Sequence, residues 1–424
     1  PTEKPLVRKA VTKSSVQWVH CIDMLIRSDV NRSTLRSFIL KEYIITCRLG
    51  FGHMVDLAAL YRDTGDIPWI LGLSGGKDST ALTMHLLETM EQLPPPIRNQ
   101  KRVYITCVNT LVEAPPVIDH VHKFIERLHL YIQDRDLPVE VIELVPEHEQ
   151  TFWSNLIGRG YPTPVREFRW CTDRMKIRPA QRFIESKAEV FGSPPVVHFL
   201  LGTRFDESTA RKATMDAHTR MDSDLHAHGT IPSASTVRPI ENWSTEDVWN
   251  YLLKLDWANG MPNPFADINQ DLSILYRDAA GGECPVIHDP SQQTCAGSRF
   301  GCWTCTVVSE DKSMNQMIAT EKEVYDVTKL AKLAAFRDRL RDERNIPENR
   351  VQGRNRRGVT LVKRDGSVGT GSYTMEYRKG LLNDLLELQE EVEMELISRE
   401  ELNFIEQVWN DEIIHLAKLD AGVA

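Results

Sequence analysis

The run Trp69-Ile70-Leu71-Gly72-Leu73 leads straight into Ser74-Gly75-Gly76-Lys77-Asp78-Ser79-Thr80, and a helical apolar pattern follows from about Ala81 to Leu93. A buried strand that ends in paired glycines and re-enters as a helix fits few architectures. The foremost is an open parallel α/β sheet with the loop at a strand's carboxyl end. Glycines let consecutive backbone amides approach an anion, and the helix start adds partial positive charge. Lys77 adds a full charge, while Ser74 and Ser79 offer hydroxyls. The segment Ser74, Gly75, Gly76, Lys77, Asp78, Ser79 is therefore expected to cradle a pyrophosphate. It is not a Walker loop, because the G-x-x-x-x-G-K-[ST] frame is missing and aspartate follows the lysine. A tight strand-to-helix turn with a polar cap would use some of the same residues.

Further apolar runs at Val103–Val108, Val139–Leu144 and Val196–Leu201 alternate with amphipathic stretches such as Val117–Asp134, the pattern of parallel strands with crossover helices. Ser244 followed by Asp247 predicts a capped helix start, with aspartate where glutamate is preferred. Residues before about 66 and after about Ser313 read as helical, and Asp365-Gly366 between apolar runs suggests a hairpin. The expected division is 1–66, an N-terminal helical extension; 67–258, the nucleotide domain; 259–315, a cysteine-bearing region; and 316–424, a helical region with a basic hairpin.

At 424 residues the chain can bury a sizeable core. No apolar run reaches about 18 residues and no charged start precedes an apolar stretch, so neither a membrane span nor a signal peptide is expected. The cytoplasm is the expected compartment. The net charge of -9 excludes a uniformly basic coat, yet it averages segments of opposite sign. Arg166 to Arg182 holds six bases against two acids, and Arg350 to Lys379 eight against two, so phosphate-binding patches remain open. Cys284, Cys295, Cys302 and Cys305 crowd together with the spacing C-x10-C-x6-C-x2-C, which in a cytosolic chain favours metal over disulfides. Thiolates presented by irregular backbone serve either a tetrahedral zinc or an iron-sulfur cluster, and spacing does not separate the two.

Other candidates surround the expected pocket. Asn109 to Glu113 ends the second strand, where Glu113 is a candidate for substrate or metal, or a solvated loop acid. Arg169-Trp170-Cys171-Thr172-Asp173-Arg174-Met175-Lys176-Ile177-Arg178 concentrates cations at a helix start. Lys176 and Arg178 are candidate phosphate contacts. Cys171, with these cations lowering its pKa, is a candidate nucleophile or sulfur carrier; a buried small residue is the alternative. Gly202-Thr203-Arg204-Phe205-Asp206-Glu207-Ser208, beyond the fourth strand, resembles a segment that contributes to substrate and nucleotide binding in sulfonucleotide reductase relatives, which implies Arg204 and Arg211 as anion contacts; a capped helix with a Glu207 to Arg211 pair is the alternative.

The loop resembles the SGGxDS motif of PP-loop ATP pyrophosphatases, which cleave ATP between the α and β phosphates. The resemblance implies a Rossmann-like, adenine nucleotide alpha hydrolase-type sheet, and it implies ATP and Mg2+, with Lys77 and Asp78 catalytic and Asp78 a candidate metal contact. Taken in order, SGGKDST, RWCTDRMKIRP, GTRFDES, PIENWSTEDVW, GCWTCTVV and DKSM resemble the DndC and SspD proteins of bacterial DNA phosphorothioation. That likeness, spanning about residues 68 to 315, implies a [4Fe-4S] cluster on the four cysteines and replacement of a non-bridging DNA oxygen by sulfur. It also implies DNA, a cysteine desulfurase and other phosphorothioation-system proteins as partners. Asn109 stands where the family pattern has aspartate, which argues against a metal role there. Alternatives are a sulfonucleotide reductase, a tRNA thiolase and a non-catalytic iron-sulfur DNA sensor. No cysteine follows Cys305, which counts against the reductase.

Overall fold

The computed structural model describes residues 55–191, 197–207, 224–228, 231, 234–257, 259–280, 300–320, 324–353, 366 and 368–420. Asp56–Ala424 forms one compact unit. The expected N-terminal extension lies outside the described residues as far as residue 54. Most of the expected hairpin around Asp365, together with Arg211, Cys284 and Cys295, lies outside them as well.

Helix α1 (Leu57–Asp63) precedes β1 (Trp69–Leu73), and α2 (Lys77–Gln92) follows the glycine loop. Then come β2 (Val103–Val108), α3 (Pro115–Asp134), β3 (Val139–Leu144), α4 (Arg178–Phe191), β4 (Val197–Leu200), β5 (His226–Ala227) and β6 (Ala234–Val237). These strands make one sheet in the order β3-β2-β1-β4-β6-β5, parallel except for the short antiparallel β5 at the edge. The chain is thus an α/β protein with a five-strand parallel, Rossmann-like sheet and flanking helices. Central β1 and β2 are buried almost throughout, because helices cover both faces of a parallel sheet. Strand β6 was not anticipated: Ala234-Ser235-Thr236-Val237 has no apolar run, and its pairing with β4 is a tertiary choice.

The strand order reverses between β1 and β4, a switch point whose carboxyl side is the usual ligand crevice of such sheets. Both the glycine loop and Gly202–Arg204 emerge there. Helix α5 (Thr245–Leu252) starts with the expected capping box, Ser244 and Asp247 each holding the other's backbone amide. Helix α6 (Ala266–Ala279) packs beside it, and Asn269 Nδ2 donates to the Leu252 carbonyl at 2.8 Å.

Helices α7 (Lys312–Ala319), α8 (Val327–Asp342), α9 (Met375–Val392) and α10 (Arg399–Asp420) complete the chain, with β7 (Arg350–Gln352) and β8 (Thr370–Tyr373) paired antiparallel between α8 and α9. Among the described residues two large apolar cores and a smaller third result. One large core lies under the sheet around Trp69, Leu82, Phe124 and Trp249, and the other joins Trp153, Trp170, Trp303, Leu333 and Leu385. Phe300 packs against both of these, and the third core gathers Ile70, Tyr104, Ile184 and Val197. Among the described residues no helix is long and apolar enough to cross a membrane.

Candidate functional site

The glycine loop owes its shape to two contacts. Gly75 sits at φ +74, in the left-handed region that disfavours side chains, and a Cβ there would lie 2.2 Å from Val121 Cγ2 of α3. Gly202, just past β4, lets its backbone press on the start of α2; a Cβ would stand 2.9 Å from the Asp78 carbonyl oxygen. Strands β1 and β4 therefore deliver their loops into direct contact. Inside the loop, the Ser79 hydroxyl accepts from the Ser74 amide at 3.1 Å, lies 3.0 Å from Ser74 Oγ and donates to the Gly76 carbonyl at 3.0 Å. Gly76 caps α2 without any side-chain hydrogen bond, which leaves first-turn amides directed at the crevice.

Charge is arranged around Asp78. Its Oδ2 accepts from Lys77 Nζ at 2.8 Å and its Oδ1 from Arg204 Nε at 2.6 Å. Arg204 is 1% exposed and also donates to the Trp243 carbonyl at 2.9 Å and to Thr245 Oγ1 at 3.3 Å. Arg204, expected as an anion contact, is buried with its guanidinium on the Asp78 carboxylate and braces it against the start of α5. Asp78 engages cations with both oxygens in this structure, so it acts here as the link between Lys77 and Arg204 and as a partner of the helix dipole. Beside them, Thr203 Oγ1 is buried without a hydrogen-bond partner, a polar atom that a ligand in the crevice would satisfy.

The second half of the site is assembled from three separate segments. The loop after β2 and the cysteine turn are joined by an isolated bridge between Glu113 and Cys302, and the Trp303 amide donates to the Val112 carbonyl at 2.9 Å. The Glu113 carboxylate accepts from the amide and hydroxyl of Thr110, at 3.0 and 2.6 Å, and Thr110 Oγ1 lies 3.4 Å from Cys302 Sγ. Cys302 and Cys305 share a tight turn, closed by the Cys305 amide on the Cys302 carbonyl at 3.0 Å.

Cys171 and Lys176 come from the cationic motif, which includes the π-helical turn Thr172–Ile177. Lys176 has its charge favoured by Cys302 first, with burial opposing, and then by Glu113, Cys171 and Cys305. Burial pushes the Cys302 thiol up to about 11, against the pull of Lys176. The expectation that cations lower the Cys171 pKa is corrected likewise: burial raises it, and the neighbouring Cys305 raises it further. The motif thus brings a third thiol into electrostatic contact with the cysteine turn, a juxtaposition not foreseen.

Three more cations of this region pair with protein groups: Arg178 with Asp173 at 2.8 Å, Arg174 with Gln150 and the Tyr161 hydroxyl, and Arg182 with Glu147. Arg178 and Arg182 are nonetheless exposed, as are Arg166 and Arg169.

Cys302 and Cys305, with two residues between them and tied into one turn, suit half of a thiolate donor set for an iron-sulfur cluster. Among the described residues no group of three or more His, Cys, Asp or Glu side chains is arranged to hold a metal ion. The turn itself is held by Arg337 of α8, buried, donating to the carbonyls of Cys305 at 2.8 Å, Ser309 at 3.1 Å and Val308. Sequence reasoning missed Arg337 and Thr110, since an arginine on a helix and a threonine in a loop carry no local mark of such roles.

The fold and this crevice place the chain among α/β proteins with a glycine loop at the sheet's switch point. The chain belongs to the phosphoadenosine phosphosulfate reductase domain family, which matches residues 68–308. It is 27% identical over 187 residues to an uncharacterized protein of Methanocaldococcus jannaschii, a match covering 44% of this chain and 32% of that protein. The chain thus spans about a third of the length of that relative. Similar solved structures include the phosphoadenylyl-sulfate reductase of Candida auris in a phosphate complex, at TM-score 0.31 and 13% identity, covering 53% of this chain and 89% of that one. The U34-tRNA thiolase NcsA of Methanococcus maripaludis, with its [4Fe-4S] cluster, has TM-score 0.28 and 15% identity, covering 52% and 71% respectively.

Proposed function

We propose that the chain is an ATP pyrophosphatase and sulfurtransferase that activates a DNA backbone phosphate for replacement of a non-bridging oxygen by sulfur. The observation that carries this is the loop Ser74–Ser79 at the switch point, which opens α2 at Lys77 with no side-chain cap on Gly76. A DNA phosphate oxygen attacks the α-phosphorus of ATP, the bond between the α and β phosphates breaks, and pyrophosphate departs. Loop amides and Lys77, released from Asp78, stabilise the charge that develops on it. Mg2+ would share that charge. A thiol reductant cleaves the carrier's persulfide S–S bond, becoming a disulfide, and the sulfide released attacks the adenylated DNA phosphorus as AMP leaves.

Cys171, beside the cysteine turn and Lys176, is the proposed carrier of the sulfur, and a cysteine desulfurase the proposed donor. Cys284, Cys295, Cys302 and Cys305 would hold a [4Fe-4S] cluster, which when bound supplies electron transfer and a soft acid for sulfur. Exposed Arg166 and Arg169 suit the DNA backbone, and other phosphorothioation-system proteins are the proposed partners. A sulfonucleotide reductase is the second reading, favoured by the family match.

Products separate these readings. Incubation of the full chain with ATP, DNA and a sulfur donor is expected to release pyrophosphate and AMP, about a hundredfold less in Lys77→Ala. ADP with orthophosphate would refute ATP cleavage at the α-phosphorus. Sulfite release from a sulfonucleotide, without sulfur in nuclease-digested DNA, would replace the first reading by the second.

A further inference from the structure

Tyr276 of α6 is used by none of the motifs, yet it reaches the heart of the glycine loop. Its hydroxyl accepts from the Lys77 amide at 3.3 Å, and its ring lies 5.7 Å from Lys77 Nζ. That amide is one of the first-turn donors with no acceptor inside the helix, the kind of group that binds phosphate oxygens. The missing side chain of Gly76 makes the approach feasible, since a Cβ there would stand 3.3 Å from the phenol oxygen. A bond of this length is weak, whereas an anionic phosphate oxygen makes shorter and stronger ones.

The ring is tightly placed. Trp249 meets it edge-on at 5.2 Å, and Phe300 meets it edge-on at 4.6 Å. Phe300 is two residues before Cys302 and packs against both large apolar cores. Tyr276 therefore touches the phosphate loop with its oxygen and the approach to the cysteine turn with its ring.

We propose that Tyr276 binds the phosphate held in the loop and couples occupancy of that loop to the cysteine turn through Phe300. An arriving phosphate oxygen takes the Lys77 amide, and the phenol changes from acceptor to donor on the same phosphate. With the ring held between Trp249 and Phe300, the small swing that follows is felt by Phe300. This deepens the pyrophosphatase reading and rests on its phosphate loop.

The test uses pyrophosphate alone, titrated calorimetrically into the full chain. Tyr276→Phe keeps the ring and loses the hydroxyl, and is expected to bind about tenfold more weakly, as for a hydrogen bond to a charged group, with an unfolding midpoint within about 2 °C of the parent. Hydrogen exchange of the segment 300–306 is expected to respond to saturating pyrophosphate in the parent. Phe300→Leu should keep pyrophosphate affinity within about twofold and lose that response. Unchanged affinity in Tyr276→Phe overturns the phosphate contact, and a response that survives in Phe300→Leu overturns the coupling. In both cases the loop stands if Lys77→Ala still weakens binding. If the parent binds pyrophosphate no better than Lys77→Ala, the loop assignment and this proposal fall together.

Discussion

Two buried arginines support the two halves of the site, and they do so in different ways. Arg204 holds a carboxylate: Asp78 lies between it and Lys77, so the brace tunes charge at a loop whose backbone is already organised by β1 and α2. Arg337 holds backbone: the carbonyls of Cys305, Val308 and Ser309 converge on one guanidinium because no regular element satisfies them. A loop that closes a strand and opens a helix inherits its hydrogen bonds from both. An irregular turn must borrow donors from a distant helix, and its geometry depends on them.

The comparison can be broken at either brace. Arg337→Met should have the largest effect on stability, about 3 kcal/mol, because it leaves the Cys305 and Val308 carbonyls without their donor, while Ser309 keeps Arg341. Urea unfolding measures the loss, and faster hydrogen exchange over 300–309 with pyrophosphate affinity intact would show that the turn and the loop are separately supported. Simultaneous loss of both would abolish the distinction. Arg204→Met should cost less, about 2 kcal/mol, since Asp78 keeps Lys77 as a partner. Its signature is functional: Asp78 then holds Lys77 more firmly, and pyrophosphate release should fall about tenfold while exchange over 300–309 stays as before. A variant with parental turnover would show that Arg204 supports packing alone.

The smallest effect is set by pH. His198 on β4 and His120 on α3 are both held down to about 4 by burial; Lys101 also lowers His198, whereas Asp271 partly offsets the effect at His120. An unfolded histidine binds its proton near 6.5, so between about 6.5 and 4 the unfolded chain binds more protons than the folded one. The contribution is complete above 6.5 and is lost as the pH falls towards 4. Each histidine should remove about 1 kcal/mol between pH 6.5 and 5.5, and His120→Phe should flatten the slope of stability against pH. An unchanged slope would mean that His120 titrates normally.

Much of the sheet half was legible along the chain. The runs at 69–73, 103–108 and 139–144 are strands, and Ser244 with Asp247 is a capping box, because each rests on contacts a few residues apart. Strand β6 was not legible, since four small residues become a strand only when β4 lies beside them. Nor was Tyr276: the Gly, Pro and Cys-rich stretch from about 260 to 306 reads as too irregular for long elements, whereas Ala266–Ala279 is a helix whose packing on the loop turns the Tyr276 oxygen towards Lys77.

By itself the sequence determined the parallel sheet, the position of the glycine loop between a strand and a helix, and the density of cations and thiols around residues 169–178 and 302–305. These follow from local periodicity, backbone freedom and composition. Only the tertiary structure decided that Arg204 would clasp Asp78, that Cys171 and Lys176 would stand beside Cys302, and that Arg337 would hold the cysteine turn. Such pairings join residues from 30 to more than 120 positions apart in the chain, as Arg204 and Asp78 do. Which partner a buried charge or carbonyl finds is settled by burial in the finished fold, where leaving it unpaired would cost more than any local preference can offset.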